Sequence, residues 1–149
     1  IAVLDATESP ARVVKVERLR EINWGLQRGR LELMYKTWRP TVIWAESNSI
    51  GGPNIEELQR HGLPVMAFAT TATSKNPMIE ALALAIENGS LHLLKHEVLL
   101  NELMAYEVER LPGGGFRYNA PSGAHDDTVI ALGLAWHGAR VGTMQVIFA

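Results

Sequence analysis

The most constraining segment of this 149-residue chain runs from Thr128 to Ala135. Val129, Ile130, Ala131, Leu132, Gly133, Leu134 and Ala135 follow one another without a charged residue, so a helix built from them has no wet face to spare. Such a helix has to be packed on most sides, and its small residues suit close contact with a sheet. Directly before it stand His125, Asp126 and Asp127. Two acids at the start of a helix interact favourably with its dipole. Because the body of this helix is buried, the same acids must also lie near the edge of the sheet it covers.

Short β-branched runs alternate with helical patterns along the rest of the chain. Residues 1–5 and 13–19 read as two strands of a hairpin, joined by a turn containing Ser9-Pro10. A helix is expected over 25–37 and ends before Pro40; a strand over 41–45 runs into Glu46. Pro53 opens a short helix with Ile55 and Leu58 inward, and Gly62 closes it. Residues 63–69 form another strand, and the next helix, capped by Ser74 or Asn76 with Pro77 in its first turn, fills 78–86 before Asn88-Gly89. A short strand at 91–94, a helix over 97–106, a hairpin of 108–111 with 116–119 around Gly113-Gly114-Gly115, and a helix over 125–137 complete the pattern. Strands alternating with helices after an opening hairpin specify an α/β domain with a mixed sheet flanked by helices.

Composition narrows the classes further. With 47% hydrophobic and 20% charged residues the chain has the makings of one core, and it fits neither a disordered tail nor a coiled coil. Cysteine is absent, which excludes disulfides and thiolate metal sites. No apolar run reaches the ~18–20 residues of a membrane-spanning helix. The net charge of −2 conceals an asymmetry: residues 1–40 carry eight Lys/Arg against five acids, and the rest carry six against eleven. A basic part beside an acidic remainder is compatible with a polyanion on one face and carboxylates holding cations elsewhere; chance clustering on a solvated surface gives the same totals.

Chemistry-bearing candidates are few. Glu46 ends the apolar strand Val42-Ile43-Trp44-Ala45 and is followed by Ser47-Asn48-Ser49. Ligands gather beyond the carboxyl ends of strands in open α/β sheets, so a carboxylate there is well placed; a solvated strand-end acid looks the same in sequence. Asp126 and Asp127 offer hard oxygen donors of the kind that suit Mg2+ or Mn2+, and capping explains them equally well. Neither a phosphate-binding glycine loop nor a serine hydrolase elbow is present. His92 and His96 are four residues apart, but the residues between them read as strand and turn rather than as one helix face.

Three segments in order carry a resemblance: Val42-Ile43-Trp44-Ala45-Glu46-Ser47-Asn48-Ser49-Ile50-Gly51-Gly52, then Phe68-Ala69-Thr70-Thr71 with Ser74-Lys75, then His125-Asp126-Asp127 with Val129 and Ala131. Together they resemble the C-terminal nuclease domain of the large terminase subunit of tailed bacteriophages, most specifically in the His-Asp-Asp-helix element. The resemblance implies a ribonuclease H-like fold and a metal-dependent endonuclease that cleaves concatemeric double-stranded viral DNA during genome packaging. It implies two Mg2+ or Mn2+ ions held by Glu46 and by Asp126 and Asp127. The family's first aspartate is expected on a strand upstream of Ile1, with Asp5 the less favoured candidate; the chain thus reads as a single nuclease domain cut from a longer protein without its ATPase domain. Arg28, Arg30, Lys75 and Arg117 are the candidate phosphate contacts. Implied partners are double-stranded DNA, the protein's own ATPase motor domain, the portal protein and the small terminase subunit, with no membrane, in the host cell cytoplasm. The alternatives are a junction resolvase or ribonuclease H-type nuclease, and a non-catalytic docking module of the packaging motor.

Overall fold

The computed structural model describes residues 1–142. They form two compact units, one made of Ile1–Arg18 with the chain from Thr71 onward, the other of Leu19–Thr70.

In the first unit, β1 (Ala2–Asp5) pairs antiparallel with β2 (Ala11–Val16), and β2 pairs in parallel with the short β5 (Leu91–His92), giving a mixed sheet of order β1-β2-β5. Ala11 and Val13 are buried on one face, as alternation requires, and Val16 is buried out of that phase, beyond the register shift between Val3 and Leu4 of the partner strand. Helix α4 (Ala72–Glu87) starts earlier than its sequence predicts. Thr71, not Ser74 or Asn76, is the N-cap: Thr71 and Ser74 form a reciprocal capping box, and Pro77 falls inside the helix rather than in its first turn. The earlier start brings Lys75 into the helix, near its amino end. Helix α5 (Glu97–Ala105) follows, capped by the His96 side chain, whose Nδ1 accepts from Leu99 N at 3.4 Å. His96 therefore serves the backbone.

The hairpin β6 (Glu107–Arg110) and β7 (Phe116–Asn119) is antiparallel, with Gly114 and Gly115 at positive φ in its turn. Helix α6 (Asp127–Gly142) packs against β1, α4 and α5, burying Val129, Leu132, Gly133 and Leu134. The expected contact with a sheet is present, and two helices share the load. At Gly133 a Cβ would stand 3.0 Å from Met78 Cε, so the missing side chain lets α4 and α6 approach closely.

In the second unit, α1 (Trp24–Trp38) is capped by Asn23, whose side chain accepts from Leu26 N at 3.0 Å. Parallel strands β3 (Ile43–Glu46) and β4 (Val65–Phe68) are in register with Glu46 opposite Phe68. Between them come α2 (Ser47–Ile50), a single turn that the sequence reading did not include, and α3 (Gly52–Arg60). Ala45, Ile55, Leu58, Leu63 and Val65 form this unit's core, with Trp24, Leu31 and Tyr35 of the first helix packed against it.

The facing of α4 supplies a direct test. Leu82 is 2% exposed and Leu84 is 59% exposed. Leu82→Ala should cost about 2–5 kcal/mol in urea denaturation, and Leu84→Ala should stay within about 0.5 kcal/mol of the parent.

Candidate active site

Glu46 lies at the carboxyl end of β3 and is also the backbone N-cap of α2. Its carboxylate accepts a hydrogen bond from Ser49 Oγ one turn later. Two contacts pin the start of that turn to the end of β4: Ser47 Oγ donates to Phe68 O at 3.2 Å, and Asn48 Nδ2 donates to Thr70 O at 2.7 Å. The polar Ser-Asn-Ser run thus converts a strand end into a fixed turn that carries the acid.

Asp126 and Asp127 occupy the entrance of α6. Asp126 precedes the helix and its backbone carbonyl accepts from Ile130 N at 2.9 Å; Asp127 is the first helical residue. Their side chains face different surroundings. The Asp126 side chain is 27% exposed and accepts from Lys75 Nζ at 3.1 Å and Tyr106 Oη at 3.4 Å. Lys75 also donates to Asn119 Oδ1 at 3.0 Å and stands 5.7 Å from the centre of the Tyr106 ring. The Tyr106 phenol is held well above its ordinary range, first by burial and then by the adjacent Asp126 charge. Asp127, with 62% of its side chain exposed, accepts from Arg18 Nη2 at 3.0 Å and Nε at 3.3 Å.

An open groove of about 520 Å3 runs past Asp126, and Lys75, Glu107, Glu109, Arg117 and Asn119 are among the residues lining it. Alternation along the hairpin explains this: Glu107, Glu109, Arg117 and Asn119 all project from one face. Three residues singled out from sequence, Lys75, Arg117 and Asp126, therefore share one groove. Arg117 is paired across the hairpin with Glu109 at 2.6 Å. The other two basic candidates belong to α1 of the second unit: Arg28 pairs with Glu57 and lies 3.7 Å from Glu32, and Arg30 is exposed. Asp5 closes a local turn, accepting from Thr7 N at 3.0 Å and Thr7 Oγ1 at 2.7 Å, and these hydrogen bonds hold its carboxyl below the usual range.

Glu102 was not anticipated. It is 7% exposed, on α5, and its Oε2 accepts from both Thr128 N at 2.7 Å and Thr128 Oγ1 at 2.5 Å. A buried carboxylate thus satisfies a free amide in the first turn of α6. The signal was available: Glu102 stands three residues after Leu99, on the same buried stripe of its helix.

Within neither unit do three or more described His, Asp or Glu side chains converge closely enough to cage a metal ion. The donor chemistry of the α6 entrance nevertheless fits a hard divalent cation. All described donors to Asp126 and Asp127 reach Oδ2, so among the described residues Oδ1 of each aspartate carries no hydrogen bond. An ionised carboxylate has acceptor capacity on both oxygens.

Comparison with known proteins identifies the class to which this mixed α/β scaffold belongs. The family described as the terminase RNase H-like domain matches residues 1–138. The terminase large subunit of Thermus virus P23-45 is 27% identical over 125 residues, which cover 83% of this chain and 26% of that protein. Among solved structures, the large terminase nuclease of thermophilic phage G20c with bound magnesium superposes with a TM-score of 0.75 at 25% identity, covering 85% of this chain and 67% of that one. Its cobalt-bound form reaches a TM-score of 0.76 at 22% identity, covering 92% and 80%. The chain belongs to the terminase RNase H-like domain family. It spans about a quarter of the length of the curated relatives it matches.

The two aspartates should separate in a stability measurement made without metal. Asp126→Ala removes the charged acceptor of Lys75, which keeps Asn119, and one of two acceptors of Tyr106, which keeps Tyr118 O, and should cost about 1–3 kcal/mol in urea denaturation. Asp127→Ala removes an exposed ion pair and should cost less than about 1 kcal/mol.

Proposed function

We propose that the chain is the divalent-metal-dependent endonuclease part of a viral DNA-packaging terminase large subunit, cutting concatemeric double-stranded DNA. The supporting observation is the α6 entrance: two aspartates, each with one oxygen open among the described residues, beside a groove that also carries Lys75 and Arg117. The metal-holding carboxylates in this reading are Asp126 and Asp127 of the first unit and Glu46 of the second, and the cofactors are two Mg2+ or Mn2+ ions. When bound, such ions activate a water and stabilise the leaving 3′-oxygen in phosphodiester hydrolysis.

The chain's own residues do the rest. Ser49 and the pinned turn of α2 hold the Glu46 carboxylate in place, and Tyr106 and Lys75 orient Asp126 through its Oδ2. Lys75 and Arg117 attract backbone phosphates into the groove, a contact without sequence preference. Arg28 and Arg30 of α1 are further candidates for that role; like Lys75 and Arg117, Arg28 already has a carboxylate partner. Double-stranded DNA, an ATPase motor domain, a portal protein and a small terminase subunit are the proposed partners, and the host cytoplasm is the proposed place of action. One observation favours the docking-module reading instead: Lys75 and Arg18 already give each aspartate a structural partner.

Plasmid nicking with Mn2+ or Mg2+ decides between these. Glu46→Ala, and Asp126→Asn with Asp127→Asn, should lower metal-dependent nicking more than about 100-fold, beyond the 10–100-fold typical of residues that merely support a ligand. Glu46→Ala should shift stability by only about 0.5 kcal/mol. Parental nicking rates in the folded variants would assign the acids to structure. Arg117→Ala should weaken binding to unrelated duplexes equally and reduce the slope of log affinity against log salt by about 0.9; an unchanged slope would remove Arg117 from the DNA path.

A further inference from the structure

Glu102 and Arg18 take no part in the mechanism above, yet they connect directly to one of its acids. Arg18 spans two carboxylates: Nη1 lies 3.5 Å from Glu102 Oε1, while Nη2 and Nε reach Asp127 Oδ2 at 3.0 and 3.3 Å. The Arg18 side chain is largely buried, and Glu102 is buried more deeply still. The other oxygen of Glu102 is committed to Thr128, the residue after Asp127. One carboxylate therefore fixes the backbone beside Asp127 through Oε2 and draws on the cation beside Asp127 through Oε1. The Arg18–Glu102 end of this coupling is buried and little screened, whereas the exposed Asp127 end is partly screened by solvent.

We propose that Glu102 is a positioning residue for the metal-holding entrance of α6: by sharing Arg18 with Asp127, it limits how strongly Arg18 competes with a divalent cation for the Asp127 carboxylate. The inference rests on the reading of Asp127 as a metal-holding residue. Capping alone does not need the charge of Glu102, because a glutamine oxygen accepts from Thr128 as well. Balancing Arg18 does need it. With Glu102 neutral, the whole positive charge of Arg18 falls on Asp127 and the local field turns less favourable to a cation. With both Glu102 and Arg18 neutral, the two changes oppose each other.

The test is calorimetric titration of the full chain with Mn2+ alone, without DNA, alongside circular dichroism to confirm folding. Glu102→Gln should weaken Mn2+ binding roughly two- to fivefold, the size of one partly screened charge pair. The double variant Arg18→Gln/Glu102→Gln should return towards the parental affinity, and Arg18→Gln alone should bind Mn2+ more tightly than the parent. Unchanged Mn2+ affinity in folded Glu102→Gln overturns the proposal. So does weakened affinity that the double variant fails to recover, because the effect would then come from the cap and not from Arg18. Should Glu102→Gln not fold, Arg18→Gln decides: unchanged or weaker binding overturns the proposal. A parent that binds no Mn2+ removes the metal reading together with this one, whereas a parent that binds with indifferent variants removes this one alone.

Discussion

The burial of α6 is the constraint on which the first unit depends. Its residues from Val129 to Ala135 are all apolar, it packs on β1, α4 and α5, and Gly133 lets Met78 come within contact distance. A helix so enclosed cannot shift to relieve crowding at its ends, because interiors packed at crystal-like density do not deform continuously. Its amino-terminal amides must still be satisfied. Glu102 meets part of that need from α5, inside the protein, and the price is a buried carboxylate that requires a cation nearby. Arg18 provides it.

From that arrangement the character of the entrance follows. Asp126 and Asp127 are adjacent in sequence but lie in different electrostatic settings, because successive residues at the mouth of a helix point different ways. Asp126 turns towards Lys75 and Tyr106 and into the groove; Asp127 turns towards Arg18 and solvent. Each acid has a basic partner on one oxygen and leaves the other unengaged among the described residues. Such half-satisfied carboxylates suit a role in which a cation is accepted without rebuilding the fold. In the second unit the same economy applies on a smaller scale, where Ser49 holds Glu46 and the one-turn α2 is tied to the end of β4.

Much of this was legible in the sequence where periodicity and punctuation were strong. The α/β order, the glycine-tipped hairpin and the terminal apolar helix came from patterns that depend on local chemistry. The family came from the acids and their neighbours in order, and residues 1–138 match it. The start of α4 was misplaced because Ser74, Asn76 and Pro77 are each plausible start signals, and only the reciprocal geometry of Thr71 with Ser74 separates them. The turn of α2 is not legible because three polar residues and a single Ile50 show no helical period. Glu102 and Arg18 escaped notice for a different reason. They are 84 positions apart in the chain, and Glu102 and Thr128 are 26 apart, so their relation exists only once α5 and α6 are packed.

The acids proposed to hold divalent cations are those at the α6 entrance and at the end of β3. Anomalous diffraction from crystals of the protein soaked in Mn2+ tests this assignment most directly, because the signal reports the ion's position and needs no activity. Mn2+ peaks are expected within coordination distance of the Asp126 and Asp127 carboxylates and of Glu46. Saturating Mn2+ with no peak at any of these carboxylates, and Lys75 and Arg18 still paired to the two aspartates, would contradict the assignment.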